Sequence, residues 1–134
     1  MTTHQLVSKL RLLLDRLPNS CLIETDAHGL FTYFGPAAEA FFGCPAGEAL
    51  GKLRYSDFHD PAELEACRAT AAFRAAIRDP GYTVGLWRVI PRSGLPCLAR
   101  VTLVALWPDD MNREDEQERP AGWLAHYQKA SSEV

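Results

Sequence analysis

No apolar run in this chain is long enough to cross a bilayer. The longest stretch free of Asp, Glu, Lys and Arg covers residues 27–38, well short of the roughly 20 apolar residues a spanning helix needs. A secretory signal is missing too, because Lys9, Arg11, Asp15 and Arg16 interrupt the leucine-rich N-terminal segment. There is no basic excess: 14 Lys plus Arg stand against 17 Asp plus Glu, a formal net charge of −3. That balance argues against nucleic acid or an anionic membrane as the main partner. Cysteine pairs are absent, since Cys21, Cys44, Cys67 and Cys97 are evenly spread with no C-x-x-C spacing. Neither a zinc site nor a disulfide framework is expected, and the four read as small apolar residues with free thiols. G-x-S-x-G, a phosphate-cradling glycine loop and H-E-x-x-H are all missing, and with them the common signatures of catalysis. The expectation is a non-enzymatic, metal-free, cytoplasmic chain.

What is present suits one folded domain. The chain has 134 residues, 47% hydrophobic and 23% charged, which is ordinary for a globular domain and far from the composition of a disordered one. Residues 2–17 have helical period: Leu6, Leu10, Leu13 and Leu17 form a stripe that Val7 and Leu14 widen. Thr2 with Gln5 fits a capping box, and Pro18 ends the helix. So apolar a stripe must be covered, either by its own domain or by a second copy across a helix–helix seam. The reading divides the chain into this helix, residues 1–17, and a main domain, residues 18–131.

Beyond the helix the period changes. Residues 21–26 and 30–34 are short β-rich runs joined by Asp26-Ala27-His28-Gly29, a turn whose glycine can take positive φ. Pro36 opens a short helix that Gly43 stops, and residues 46–50 form another helical turn closed by Gly51. A long alanine-rich helix is predicted over residues 61–79, with Asp60 or Asp57 as its cap and Pro80-Gly81 at its end. Strands follow at residues 82–90, 96–107 and 122–129, the first two joined by Arg92-Ser93-Gly94. In the middle one Arg100 and Thr102 face water, turning Val101, Leu103 and Ala105 inward. Residues 108–120 make a long acidic hairpin loop. The simplest α+β solution is a five-stranded antiparallel sheet with helices across one face.

Several motifs in this order resemble the PAS domain. Asp26-Ala27-His28-Gly29-Leu30-Phe31-Thr32-Tyr33-Phe34 resembles that family's D-x-x-G-x-I-x-y hairpin, and Pro36-Ala37-Ala38-Glu39-Ala40-Phe41-Phe42-Gly43 its next helix. Ala46-Gly47-Glu48-Ala49-Leu50-Gly51-Lys52 is similar to the E-x-x-G-k turn, and Phe58-His59-Asp60-Pro61 to the opening of the long helix. Arg88 with Arg92-Ser93-Gly94 resembles the r-x-x-r-x-d-G hairpin, so the likeness spans residues 17–129. Two departures stand out. The family's Asn after the second strand is Gly35, and its closing Asp-Ile-Thr is Lys129-Ala130-Ser131. The few residues after that triplet leave output to a signalling protein in trans or to an output domain not present here.

The resemblance implies a ligand or a dry core held between the sheet and the short helices. The candidate pocket comprises Phe31, Tyr33, Trp87, Val101 and Leu103 from the sheet, with Phe41, Phe42, Leu53 and Phe58 from the helical side. Arg54 stands where flavin photoreceptors of the family carry their adduct-forming Cys, which speaks against a covalent flavin. The long helix contains no His for an axial haem ligand, which speaks against haem, and His59 and His126 lie outside it. A non-covalent small organic ligand stays open. Asp57/His59 and His59/Asp60 could form an acid–base couple, but helix capping by an Asp is the simpler account. Two functions follow. One is a sensory module that binds a small ligand or partner and signals through a homodimer seam of Leu6, Leu10, Leu13, Leu14 and Leu17. The other is a ligand-free interaction scaffold whose aromatic core is full.

Overall fold

The structure is a computed structural model that describes residues 3–92, 94–107 and 120–131. Strands β1 (Ser20–Asp26), β2 (Phe31–Phe34), β3 (Tyr82–Val89), β4 (Cys97–Leu106) and β5 (Gly122–Ser131) form an antiparallel sheet in the order β2-β1-β5-β4-β3. Helix α1 (Thr3–Asp15) precedes the sheet. The crossover from β2 to β3 contains α2 (Pro36–Phe42), α3 (Ala46–Ala49), a 3₁₀ turn (Tyr55–Phe58), α4 (Pro61–Arg68) and α5 (Ala71–Arg78). This is the α+β architecture expected from the sequence, and the acidic loop lies largely outside the described residues.

Local chemistry sets the turns. Asp26 Oδ1 accepts from the amides of His28 at 2.8 Å and Leu30 at 3.0 Å, while Gly29 takes φ 86°, closing the β1–β2 hairpin. Gly43, at φ 67°, ends α2, and the Glu39 carboxylate of that helix accepts from Ala46 N at 2.7 Å to hold α3 in place. Gly35 precedes α2 as a cap without a side-chain hydrogen bond, the loss that its replacement of Asn implies. Gly122 is needed for a different reason: a Cβ there would lie 2.3 Å from the Thr25 carbonyl oxygen, where β5 crosses close to β1.

Alternation along the strands builds the core. Cys21 and Ile23 of β1, Val101 and Leu103 of β4, and Ala125 and Tyr127 of β5 are buried on one face. Ile23, Ala125 and Leu103 stand in register across the three central strands. Arg100 is exposed and Thr102 half-buried, the alternation read from the sequence. Helix α1 packs against β1 and α2, with Arg11 ion-paired to Glu24 and lying over the Tyr33 ring.

The continuous helix expected over residues 61–79 is corrected: it is two helices, α4 and α5, broken at Thr70. Thr70 leaves helical geometry at ψ 145°; its hydroxyl donates to the Cys67 carbonyl at 2.9 Å and accepts from Phe73 N at 3.1 Å. That side chain competes with the helical backbone and caps a new helix. The break turns α5 so that Phe73 is buried.

Candidate functional site

The predicted pocket residues mostly converge, but on one another. Phe42 lies 4.7 Å from Phe58 and 6.3 Å from Phe31 between ring centroids, and Phe41 lies 5.1 Å from Phe42. Trp87, Val101 and Leu103 are buried with them, and Leu53 packs against the same core. These rings meet in tilted and edge-on contacts. Tyr33 is apart from this group: it pairs across the hairpin with Glu24, and its ring lies 5.1 Å beneath the Arg11 guanidinium. None of these residues lines the cleft described below.

His59 enters the same core rather than an acid–base couple. Asp57 accepts from Arg54 N at 2.8 Å, and Asp60 caps α4 through Ala62 N at 2.8 Å, so neither carboxylate is its partner. The His59 Nδ1 lies 3.0 Å from the Arg88 carbonyl and Nε2 lies 2.7 Å from the Tyr127 hydroxyl. A carbonyl only accepts, so Nδ1 donates to it and Nε2 accepts the Tyr127 O–H. This fixes one neutral tautomer. Burial lowers the His59 pKa to about 4, against the opposing pull of the Arg88 carbonyl and the Glu63 charge. Burial likewise pushes the Tyr127 hydroxyl well above its ordinary value. Neither group exchanges protons near neutrality; the pair ties the 3₁₀ turn and β3 to β5. Strand alternation from Trp123 would have turned Tyr127 inward in the sequence reading, but its pairing with His59 is non-local.

A cleft of about 510 Å³ opens between the β1–β2 hairpin, the 3₁₀ turn, helices α4 and α5 and the adjoining ends of β4 and β5. Its aromatic lining is Tyr55, Phe73, Trp107 and Trp123, and its charged lining is Arg54, Arg68, Arg74 and Arg78. The Trp107 indole donates to the Ile77 carbonyl at 2.9 Å, and Arg54 Nε donates to the His28 carbonyl at 3.1 Å. Both contacts tie the walls together. Arg54, the residue at the adduct-cysteine position, thus serves the cleft rim. Sequence reasoning missed this site because its residues come from separate segments and carry no shared spacing.

Among the described residues no group of three or more His, Cys, Asp and Glu side chains is placed to hold a metal ion. The four cysteines are free. No helix among the described residues is long and apolar enough to cross a membrane.

No protein-family model and no curated protein matches the chain. Solved structures do. A PAS domain from Colwellia psychrerythraea matches with a TM-score of 0.70 at 15% identity, over 92% of this chain and 96% of that one. A domain of a sensory box sensor histidine kinase/response regulator from Geobacter sulfurreducens matches with a TM-score of 0.63 at 17% identity, over 96% and 97%. The PAS domain of a LuxR-family transcriptional regulator from Burkholderia thailandensis, solved in complex with ethanol, matches with a TM-score of 0.64 at 14% identity, over 90% and 96%. With nine-tenths or more of this chain covered in each of these matches, the fold of this chain is the PAS-domain fold.

Proposed function

We propose that this chain is a non-catalytic sensory and signal-transduction module of the cytoplasm. It binds a small ligand in the cleft beside α5 and passes occupancy on through protein–protein contacts, a homodimer along α1 among them. The observation that carries the reading is the cleft itself, an aromatic-walled hollow with a few convergent polar groups beside a core of closely contacting rings. Its fold neighbours lend support, one being a domain of a sensor histidine kinase and another a PAS domain holding a small molecule.

The path outward is short. His28 and Gly29 line the cleft, and the Asp26 carboxylate holds that hairpin together. Two residues back along β1, Glu24 pairs with Arg11 of α1. A ligand that moves the hairpin therefore loads the strand on which α1 rests. Helix α1 in turn leaves Leu6, Leu10 and Leu13 exposed at 48%, 46% and 63%, and Leu17, two residues past its end, is exposed at 47%. Leu14 is half-buried. That apolar face suits a second copy or a downstream signalling protein.

The core of closely contacting rings favours a second reading, a ligand-free scaffold that works through the same surfaces. Native mass spectrometry of the protein as purified, set against its denatured mass, separates the two. A protomer adduct that vanishes on denaturation is expected for the sensor. A bare protomer mass that no cellular extract can shift favours the scaffold.

A further inference from the structure

We infer that the free edge of β3 takes up a strand from a partner protein, an extended segment antiparallel to residues 82–86 that carries β-branched side chains at alternate positions and an acidic residue opposite Arg88. This surface is separate from the cleft and from α1. The sheet order leaves β2 and β3 as its two edges. Ala105 N of β4 donates to the Gly81 carbonyl at 2.9 Å, so by antiparallel alternation the odd-numbered residues of β3 turn their backbone groups toward β4. The even-numbered ones turn theirs outward. Arg88 N donates to the Glu63 carboxylate at 2.9 Å, the Arg88 carbonyl accepts from His59 Nδ1 at 3.0 Å, and Ile90 N donates to the Phe58 carbonyl at 2.8 Å.

Those bonds close the edge from residue 88 onward. The opposite edge is closed as well: β2 spans four residues, and Phe31 accepts from Gly51 N at 3.0 Å and donates to the Leu53 carbonyl at 3.1 Å. Residues 82–86 have no such cover. Among the described residues the outward N–H and C=O groups of Tyr82, Val84 and Leu86 have no partner. Nor does this stretch carry the charge, proline or bulge that keeps a bare edge from pairing. A row of unpaired backbone groups is the template on which an extended peptide adds itself to a sheet.

The side chains around the opening define the segment. Tyr82, Val84 and Leu86 stand exposed on the outer face of the sheet, where β-branched residues across from them pack well. Arg88 and, diagonally across the β3–β4 pair, Arg100 are exposed on the same face with no ion-pair partner among the described residues. An acidic side chain complements them. On the inner face Gly85 has no side chain, and the buried Trp87 leans over it with Nε1 2.9 Å from where a Cβ would stand. That indole N–H has no hydrogen-bond partner among the described residues, and a small hydroxyl side chain opposite Gly85 fits the space and accepts from it. A second copy suits the edge less well. Paired antiparallel about Val84, it would set Arg88 opposite Pro80, which offers neither charge nor donor. Two domains joined over so short a stretch would also bury well under the roughly 1,200 Å² of a stable interface.

The test is calorimetric titration of the whole chain with the peptide acetyl-Glu-Thr-Val-Ser-Val-Thr-Ile-amide. Laid antiparallel on β3, it sets its glutamate opposite Arg88, its valines opposite Leu86 and Val84, and its serine opposite Gly85. Binding is expected, with slower hydrogen–deuterium exchange within residues 82–87. Methylating the two valine amides, which face β3, is expected to weaken binding at least about ten-fold, whereas methylating the serine amide, which faces away, changes it less than about three-fold. Exchanging the glutamate for lysine is expected to weaken it about five-fold. Val84→Pro removes one outward N–H, leaves the bonds to β4 intact and is expected to cost at least about ten-fold. Should that variant fail to fold, the methylated peptides decide the matter on the unaltered protein. No binding at millimolar peptide, equal loss from both methylation patterns, or indifference to the lysine exchange overturns the inference. Protection of residues 82–87 that rises with protein concentration alone also overturns it, by assigning the edge to a second copy. None of these outcomes bears on the adduct measurement that tests the cleft.

Discussion

His59 illustrates how a single buried side chain can make stability depend on pH. Its neutral ring donates to the Arg88 carbonyl and accepts from Tyr127, and its folded pKa of about 4 lies below the ordinary 6.5. The unfolded chain therefore binds the proton more readily, and stability rises with pH between those values. The contribution is complete above about pH 6.5 and is lost progressively as pH falls toward 4. At about 1.4 kcal/mol per pKa unit, the loss from this group is about 3 kcal/mol. Urea denaturation at a series of pH values checks this, and His59→Gln is expected to flatten the profile over that window. The sequence could not show it. A His beside Asp60-Pro61 reads equally well as a solvated cap, and only the return of β5 brings Tyr127 to it. The same holds for Tyr33, whose place in the hairpin was legible but whose face was not: a register shift between Glu24 and Thr25 breaks the simple alternation.

At the scale of elements, α1 carries the sharpest expectation. Its exposed leucines give it an apolar face that nothing among the described residues covers fully. If that face is the seam, Leu10→Glu with Leu13→Glu converts a dimer to a well-folded monomer, read by sedimentation velocity with circular dichroism as the folding control. A variant that still sediments as a dimer removes α1 from the interface. Elements were the most legible part of the sequence because turn chemistry is local. Gly29, Gly43 and Gly51 all adopt positive φ at the ends read for them, and Asp60 caps α4. The failure was equally local in origin. Alanine content favours one helix through residues 61–79, and helix propensity carries no information on the competing bonds that Thr70 makes to Cys67 and Phe73. Without that break, α5 would not present Phe73, Arg74 and Arg78 to the cleft.

For the whole molecule, the motif order was enough to reach the sheet and its crossover, since each short motif fixes one turn and the turns fix the path. The cleft was not legible on the same terms. Its arginines come from the residue before the 3₁₀ turn and from α4 and α5, and its tryptophans from the residue after β4 and the start of β5, so only the closed fold assembles them. The candidate pocket read from the sequence is the place where aromatic residues accumulate, and several of its rings contact one another there. What unites site and surface is β1, whose hairpin borders the cleft and whose Glu24 meets α1. Hydrogen–deuterium exchange of the ligand-bound protein against the same protein stripped of its ligand tests that connection most directly. The account predicts slower exchange at residues 27–30, 54–56 and 71–78, together with a change in α1. Binding that leaves those three segments unaltered, or alters them with no response in α1, would contradict it.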